Sequence, residues 1–270
     1  MCHIDIGSGD TKMKKFKEAI ALLILLGLLS PLAIAEDASK LGTDANSNTS
    51  TSKDWEFNLA PMYLWAVSIN GDQIVKGVKV DLDVPFSDIF DNLNGALTVH
   101  FEGLHRQRWG FFTDLNYIVL EMDDGPVDID FTETMIELAG FYRIIRGAHA
   151  IDGLGGLRYS SMDVDLDLPG PLSDVDQRKD WVDPYFGLLW QWKIAEKWGT
   201  RLRGDIGGFG IGSDLTWNLV GLVDFKPWKH VGLFGGYRAL YQDYSTGRGN
   251  KRFSFDATMQ GPILGLNITW

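Results

Sequence analysis

Gln260-Gly261-Pro262-Ile263-Leu264-Gly265-Leu266-Asn267-Ile268-Thr269-Trp270 closes the sequence, and its alternation decides the fold. Counting back by twos from Trp270 gives Ile268, Leu266, Leu264 and Pro262, an unbroken apolar face. The other face is Thr269, Asn267, Gly265, Ile263 and Gly261, small or polar except for one isoleucine. A period of two, apolar outward and small or polar inward, is the pattern of a strand between lipid and a lumen.

The N-terminal end agrees with a membrane destination. Lys12, Lys14, Lys15 and Lys17 precede an apolar run from Ala19 to Ala35, which closes on Ala33-Ile34-Ala35. A basic start, a short apolar run and small residues before the cut form a secretory signal peptide, so residues 1–35 are expected to be removed after Sec export. Residues 1–11 fit no signal, which makes Met13 a candidate start. The single cysteine, Cys2, falls in the removed part, so no disulfide is expected. Removing 1–35 leaves 21 basic against 33 acidic residues, a net charge of −12, which argues against nucleic acid as a partner. Residues 36–54 are polar and read as a disordered leader, leaving 55–270 as one domain.

That domain holds no run of the ~20 apolar residues that a membrane helix needs. Alternating stretches recur instead, at about 55–69, 95–106, 109–122, 131–145, 150–166, 181–195, 198–211, 215–226, 230–243 and 255–270. Short turns at Gln107-Arg108-Trp109, Arg146–His149, Glu196-Lys197-Trp198 and Lys226–Lys229 alternate with longer connections at 70–94, 167–180 and 244–254. Outer-membrane barrels have short periplasmic turns and longer outer loops. Parity counted back from Trp270 gives an all-β, antiparallel up-and-down transmembrane barrel of ten strands. Val78–Val84 is placed in the first outer loop, and twelve strands result if it and part of 127–134 both span. Within the same loop Ser87–Leu93 reads as a short helix with Ile89, Phe90 and Leu93 on one face. On the first strand, Tyr63, Trp65, Val67 and Ile69 are expected on the lipid face with Phe57. Trp55, Trp109, Trp192, Trp198, Trp228 and Trp270 are expected at the periplasmic interface, and Trp65, Trp181 and Trp217 at the outer one, where amphipathic rings are most stable.

Inward positions carry charges of both signs: Glu102, Asp114, Glu137, Asp152, Asp183, Asp205 and Asp224 against Arg106, Arg143, Arg158, Lys193, Arg201, Arg203 and Arg238. In a narrow barrel these are expected to pair across the lumen, because a lone buried charge is costly. The negative surplus sits in the loops, in Val80-Asp81-Leu82-Asp83-Val84, Val127-Asp128-Ile129-Asp130-Phe131 and Asp163-Val164-Asp165-Leu166-Asp167. Each sets its carboxylates on one face of a strand. Such faces are candidates for calcium or magnesium through oxygen ligands, or for contact with lipopolysaccharide through shared cations. Acidic rims also serve solubility by keeping strand edges apart.

Catalytic patterns are sparse. Only His100 is an inward histidine near mid-depth, two residues from Glu102, and no serine partner is identifiable from spacing. No zinc, phosphate-loop or dinucleotide motif is present. The glycine-dense Asp205–Gly212 precedes more sheet rather than a helix, which excludes a phosphate loop.

Longer motifs carry a family likeness. Val84-Pro85-Phe86-Ser87-Asp88-Ile89-Phe90-Asp91-Asn92-Leu93 resembles the VxFSDIxDNL segment of an uncharacterised family of Gram-negative outer-membrane β-barrel proteins. Arg108-Trp109-Gly110-Phe111, Asp180-Trp181-Val182-Asp183-Pro184, the stretch from Gly204 to Trp217, and Phe255–Pro262 resemble other segments of it, so the likeness covers about 55–270. It implies an outer-membrane barrel and implies no activity. The terminal aromatic strand, with Trp270, Ile268 and Leu266, is similar to the insertion signal of such proteins, with tryptophan for the usual phenylalanine.

The expectation is therefore a monomeric outer-membrane barrel with a charged, mostly filled lumen, taken up by the barrel-assembly machinery. Its expected role is structural or that of a narrow pore for small solutes. The alternatives are a lipid-modifying enzyme of the outer leaflet and an adhesin acting through the 70–94 loop.

Overall fold

The computed structural model describes residues 54–75, 78–122, 128–167 and 175–270. The expected signal peptide and nearly all of the leader lie outside the described residues. The first wall element is broken into β1 (Trp55–Ala60), β2 (Tyr63–Trp65) and β3 (Ser68–Val75). After it come β4 (Val78–Val84), helix α1 (Phe86–Asp91) and β5 (Leu93–His105). The rest of the wall is β6 (Trp109–Met122), β7 (Asp128–Ile145), β8 (His149–Asp167), β9 (Val175–Lys193), β10 (Trp198–Gly208), β11 (Leu215–Phe225), β12 (Val231–Thr246) and β13 (Phe253–Thr269).

From β5 to β13 each strand pairs antiparallel with the next, and β1 pairs with β5 on one edge and β13 on the other. The sheet therefore closes into a barrel of ten staves, with β1 bridging β5 and β13 at the short-turn end. The last residue completes the ring. Phe57 N donates to the Trp270 carbonyl (3.0 Å) and Trp270 N donates to the Phe57 carbonyl (3.1 Å). β4 pairs only with β3, so ten staves stand and twelve do not.

Burial runs opposite to that of a water-soluble sheet. Phe186 is 59 % and Leu264 62 % exposed on the outer surface, whereas Glu137, Arg158 and Asp183 are 0 % exposed inside. Aromatic rings collect at the short-turn end: Trp55 meets Trp109 at 5.2 Å, and Phe57 meets Trp270 at 5.6 Å between centroids. The three-residue β5–β6 turn, Arg106 to Arg108, is tight: Arg106 and Gln107 both take positive φ, and Arg108 N donates to the His105 carbonyl (2.9 Å).

The first stave departs from the expected phase. Ala60 faces inward, and Pro61 and Met62 then interrupt the ladder, with Met62 exposed. Proline has no N–H to give to a ladder. After this two-residue break Tyr63, Trp65 and Val67 are buried inside rather than facing lipid. Trp65 and Trp181 are thus interior side chains, not members of the outer aromatic belt. On α1, Ile89 is buried and Phe90 is exposed, so the expected Ile89–Phe90–Leu93 face is only partly packed.

The break also changes the seam. β1 holds β5 from His100 to His105, and further out no ladder joins the first stave to β5. Tyr63 N donates to Thr98 Oγ1 (2.9 Å), and Thr98 Oγ1 donates back to the Tyr63 carbonyl. Beyond that clasp Leu82, Val84, Ile89 and Leu93 pack onto the interior and close the gap with side chains.

The interior is layered. Along β7 the inward positions run Met135, Glu137, Ala139, Phe141 and Arg143; along β8 they run Met162, Ser160, Arg158, Leu154 and Asp152. An apolar cluster of Trp65, Met135, Met162, Trp181, Leu240, Phe253, Phe255 and Met259 fills the long-loop half. A smaller one of Leu104, Phe112, Phe141, Leu154 and Leu189 lies toward the turns. The charges sit between them.

Candidate functional site

Glu137 is the hub of the charged layer. Its Oε1 accepts from Arg238 Nη2 (2.7 Å) and Arg158 Nε (3.3 Å). Its Oε2 accepts from Arg203 Nη2 (2.6 Å) and the Tyr185 hydroxyl (3.3 Å). Asp205 shares two of those arginines, with Arg158 at 2.8 Å and Arg203 at 2.8 Å, and accepts from Asn218 Nδ2 (2.8 Å). Arg158 also donates to Thr216 Oγ1 (3.0 Å), and Arg238 donates to Asn218 Oδ1 (3.1 Å). Aromatic faces take up the flat sides of the guanidiniums: Arg238 lies 4.7 Å from Trp65, and Arg203 4.7 Å from Phe112. Strand alternation explains the placement, since residues two apart on one strand share a face.

Toward the turns a second group surrounds His100. Its Nδ1 is 3.1 Å from Asp114 and its Nε2 3.7 Å from Glu102. Arg201 Nη1 donates to Glu102 (2.7 Å), and Arg201 Nε stands 3.8 Å from Asp224. Asp114 is also 3.6 Å from Arg238 and accepts from the Tyr63 hydroxyl (2.8 Å), which links the two groups. Both ring nitrogens of His100 thus face carboxylates.

The remaining residues proposed from the sequence lie apart. Arg143 makes a two-bond pair with Asp152 at the turn end (2.8 and 3.0 Å). Arg106 is in the β5–β6 turn and pairs with Asp54 (2.8 Å), outside the lumen. Asp183 accepts from Ser213 N (2.6 Å), Ser213 Oγ (2.7 Å) and Trp181 Nε1 (3.2 Å), so it anchors the β10–β11 loop instead of joining the arginines. That loop needs its glycines: Gly208 and Gly210 take positive φ, and a side chain at Gly212 would meet the Asp183 carboxylate. Asn116, Tyr185, Thr216 and Asn218 belong to the network without having been singled out, and their signal was phase, since they are uncharged polar residues on inward positions. Tyr63 joins it against its phase, through the register shift at Pro61 and Met62. Glu133 is a further buried carboxylate on β7.

The acidic segments form rows across the sheet. Asp81, Asp72, Asp256 and Asp243 stand directly opposite one another across β4, β3, β13 and β12. Glu121, Asp130, Asp165 and Asp176 do the same across β6, β7, β8 and β9. Asp128 faces Asp167 on the same hairpin, and Asp163 stands opposite Arg178. Lys79 bonds Asp72 (2.9 Å), and Asn70 donates to Asp83 (2.8 Å). Among the described residues, no three Asp, Glu, His or Cys side chains converge to hold a metal ion.

No family model matches the chain, and no curated protein matches it. Solved structures do. The attachment invasion locus protein Ail of Yersinia pestis is 10 % identical, with a TM-score of 0.35 over 80 % of this chain and 97 % of that one. Neisserial surface protein A is 12 % identical, with a TM-score of 0.31 over 80 % and 96 %. The toluene transporter TbuX of Ralstonia pickettii is 8 % identical, with a TM-score of 0.31 over 80 % and 89 %. Likeness at this level implies no shared activity.

Proposed function

We propose that the chain is an integral outer-membrane barrel with a structural role, its lumen packed as a core rather than open as a channel. Insertion into a membrane is supported by the inverted burial, apolar on the outer wall and charged within. A polar barrel interior wrapped in an apolar band is what a lipid environment selects. The short-turn end would face the periplasm and the acidic rim the exterior, where the aspartate rows meet lipopolysaccharide through shared divalent cations. The aromatic closing strand at Trp270 would serve the assembly machinery.

The observation that carries the sealed reading is the charged layer. Glu137, Arg158 and Asp205 close the middle of the lumen, and the apolar cluster around Met135, Met162 and Leu240 stands on top of it. An ion crossing that pair of layers would have to break buried charge pairs and then enter hydrocarbon. A pore reading needs a continuous wet path, and an enzyme reading needs a nucleophile beside His100, whose ring nitrogens meet carboxylates instead. The test is single-channel recording of the refolded chain in a planar bilayer. No conductance steps are expected, and regular steps in simple salt would overturn the sealed lumen.

A further inference from the structure

The turn end of the lumen opens into a vestibule of about 330 Å³. Five cations line it, Arg143, Lys193, Lys197, Arg201 and Lys226, against two carboxylates, Glu196 and Asp224. Arg201 and Asp224 form its floor, since both also line a smaller cavity of about 110 Å³ beneath the charged layer. Arg143 is committed to Asp152 and Arg201 to Glu102. Asp224 is shared between Asn267 (3.4 Å) and Arg201 (3.8 Å). The three lysines are uncommitted: among the described residues, none of them forms an ion pair or a side-chain hydrogen bond.

Register brings these lysines together. Lys226 N donates to the Lys197 carbonyl (2.8 Å), so the two adjoin across the end of the β10–β11 ladder. Gly199, two residues past Lys197, pairs with Lys193 on one side and with Asp224 on the other. Residues two apart share a face, here the inward face of Arg201 and Asp224. The Lys226 stem does lie inward: its Cγ is 3.1 Å from where a Cβ at Gly232 would stand, and Gly232 pairs with the buried Asn267. Burial, then the Arg201 charge, hold the Lys226 ammonium below its ordinary range. Adjoining like charges on one face cost stability, and an anion between them relieves that cost.

The crowding defines the ligand. Ammonium groups only donate, so the lysines call for several acceptor oxygens at once. A phosphate at neutral pH brings about two negative charges and three strong acceptor oxygens. A monocarboxylate brings a single charge on two oxygens. We infer that the turn-end vestibule is a binding site for a phosphate dianion, free or carried on a small ester, held by Lys193, Lys197 and Lys226. The site lies outside the seal, so the ligand reaches it from the turn side without crossing the lumen.

The test uses the refolded full chain in dodecyl maltoside micelles at low ionic strength, where screening is weak. Inorganic phosphate and glycerol 3-phosphate are titrated separately by phosphorus NMR, with acetate as a competitor. Saturable binding is expected, and the tighter of the two probes tells whether the site takes free phosphate or an ester. Acetate should compete only at about tenfold higher concentration, because it carries half the charge. Lys197→Gln and Lys226→Gln should each weaken the phosphates about fivefold, the upper worth of a partly exposed ion pair. Lys229→Gln, an exposed lysine of the next turn that does not line the vestibule, should change nothing. Gel mobility before and after boiling shows which variants fold, and Lys197→Gln decides if Lys226→Gln does not. The proposal is overturned by unsaturable binding, by acetate competing as well as phosphate, or by a Lys229→Gln effect as large as that of the lining lysines, which would leave only diffuse surface charge. Bilayer conductance reads the seal and the phosphorus titration reads the vestibule, so either idea can fail without the other.

Discussion

Arg238 on β12 reaches across the full width of the lumen to Glu137 on β7, where its Nη2 lies 2.7 Å from Oε1. The two strands are diametrically opposite, five staves apart in the ring of ten. Arg158 and Arg203 converge on the same carboxylate from β8 and β10. A carboxylate held by three guanidiniums ties four staves together through one point. Desolvating these ions costs several kcal/mol each, and only mutual pairing repays it.

Removal of that point should therefore be expensive. Glu137→Ala leaves three buried cations short of a partner and is expected to destabilise the barrel by about 3–5 kcal/mol. The urea midpoint at which the heat-modifiable folded band disappears measures this. A loss under about 1 kcal/mol would mean that Asp205 and Asp114 neutralise the arginines on their own.

The clasp between Tyr63 and Thr98 holds the seam where the ladder stops. Thr98→Val keeps the shape and removes the hydroxyl, leaving the buried Tyr63 N–H and carbonyl unmet. A cost of about 1–3 kcal/mol is expected. Amide exchange should also quicken around residues 61–67 and 93–98 more than in β7 or β8. Uniform exchange across the barrel would show that the side-chain packing beyond the clasp suffices.

Gly261 is a contact that only glycine allows. A Cβ at this inward position would overlap the Ala66 carbonyl oxygen, on the irregular part of the first stave. Gly261→Ala should push β13 away from residues 66–67 and lower the unfolding midpoint, by about 1–3 kcal/mol on the scale of overpacking. Gly147→Ala is the comparison on steric grounds, since nothing lies within 4 Å of a Cβ there, although its φ of 126° adds backbone strain. If Gly261→Ala proves the milder of the two, the close approach does not constrain the stave.

At the acidic rim the sign of the pH effect is set by crowding. Burial, then the neighbouring Asp256 and Asp214, raise the Asp243 carboxyl above its ordinary range. A folded-state pKa above the unfolded one contributes stability that is full below the unfolded pKa and is lost as pH rises through the folded value. The rim should therefore lose stability as Asp243 ionises. Asp243→Asn should stabilise the barrel at neutral pH, by about 0.2–1 kcal/mol for relief of a like-charged cross-strand pair. The gain should shrink in high salt. Calcium tests the rows directly: if Asp81→Asn with Asp83→Asn leaves calcium-dependent stabilisation unaltered, those two carboxylates serve only solubility.

Much of the wall was legible because a strand reports its two faces with every residue. Phase alone put Glu102, Asp114, Glu137, Asp205, Asp224, Arg158, Arg201, Arg203 and Arg238 on inward positions, and the structure places all of them in the lumen. The phase failed where the ladder slips. Across Pro61 and Met62 the register against β13 shifts by one residue, and the alternation beyond them keeps its period while changing phase, so Tyr63 and Trp65 changed sides. The loop-end core was legible in part. Continuing β13 back from Ile263 gives Gly261, Met259, Ala257, Phe255 and Phe253, an inward face that turns apolar. Such a face cannot belong to a water-filled mouth.

The sequence by itself determined the strands, their number and direction, and, along most of the ring but not past Pro61, the sorting of residues between wall and lumen, because those follow from period two and from connection length. Only the tertiary structure decided which charges meet. Arg238 and Glu137 are separated by 101 positions, and their 2.7 Å contact exists because closing the sheet sets β7 opposite β12. The same closure set Asp183 on a loop instead of on an arginine, and left a cavity beneath the charged layer. Pairing across a lumen depends on the radius and stagger of the closed ring, and no single strand carries either.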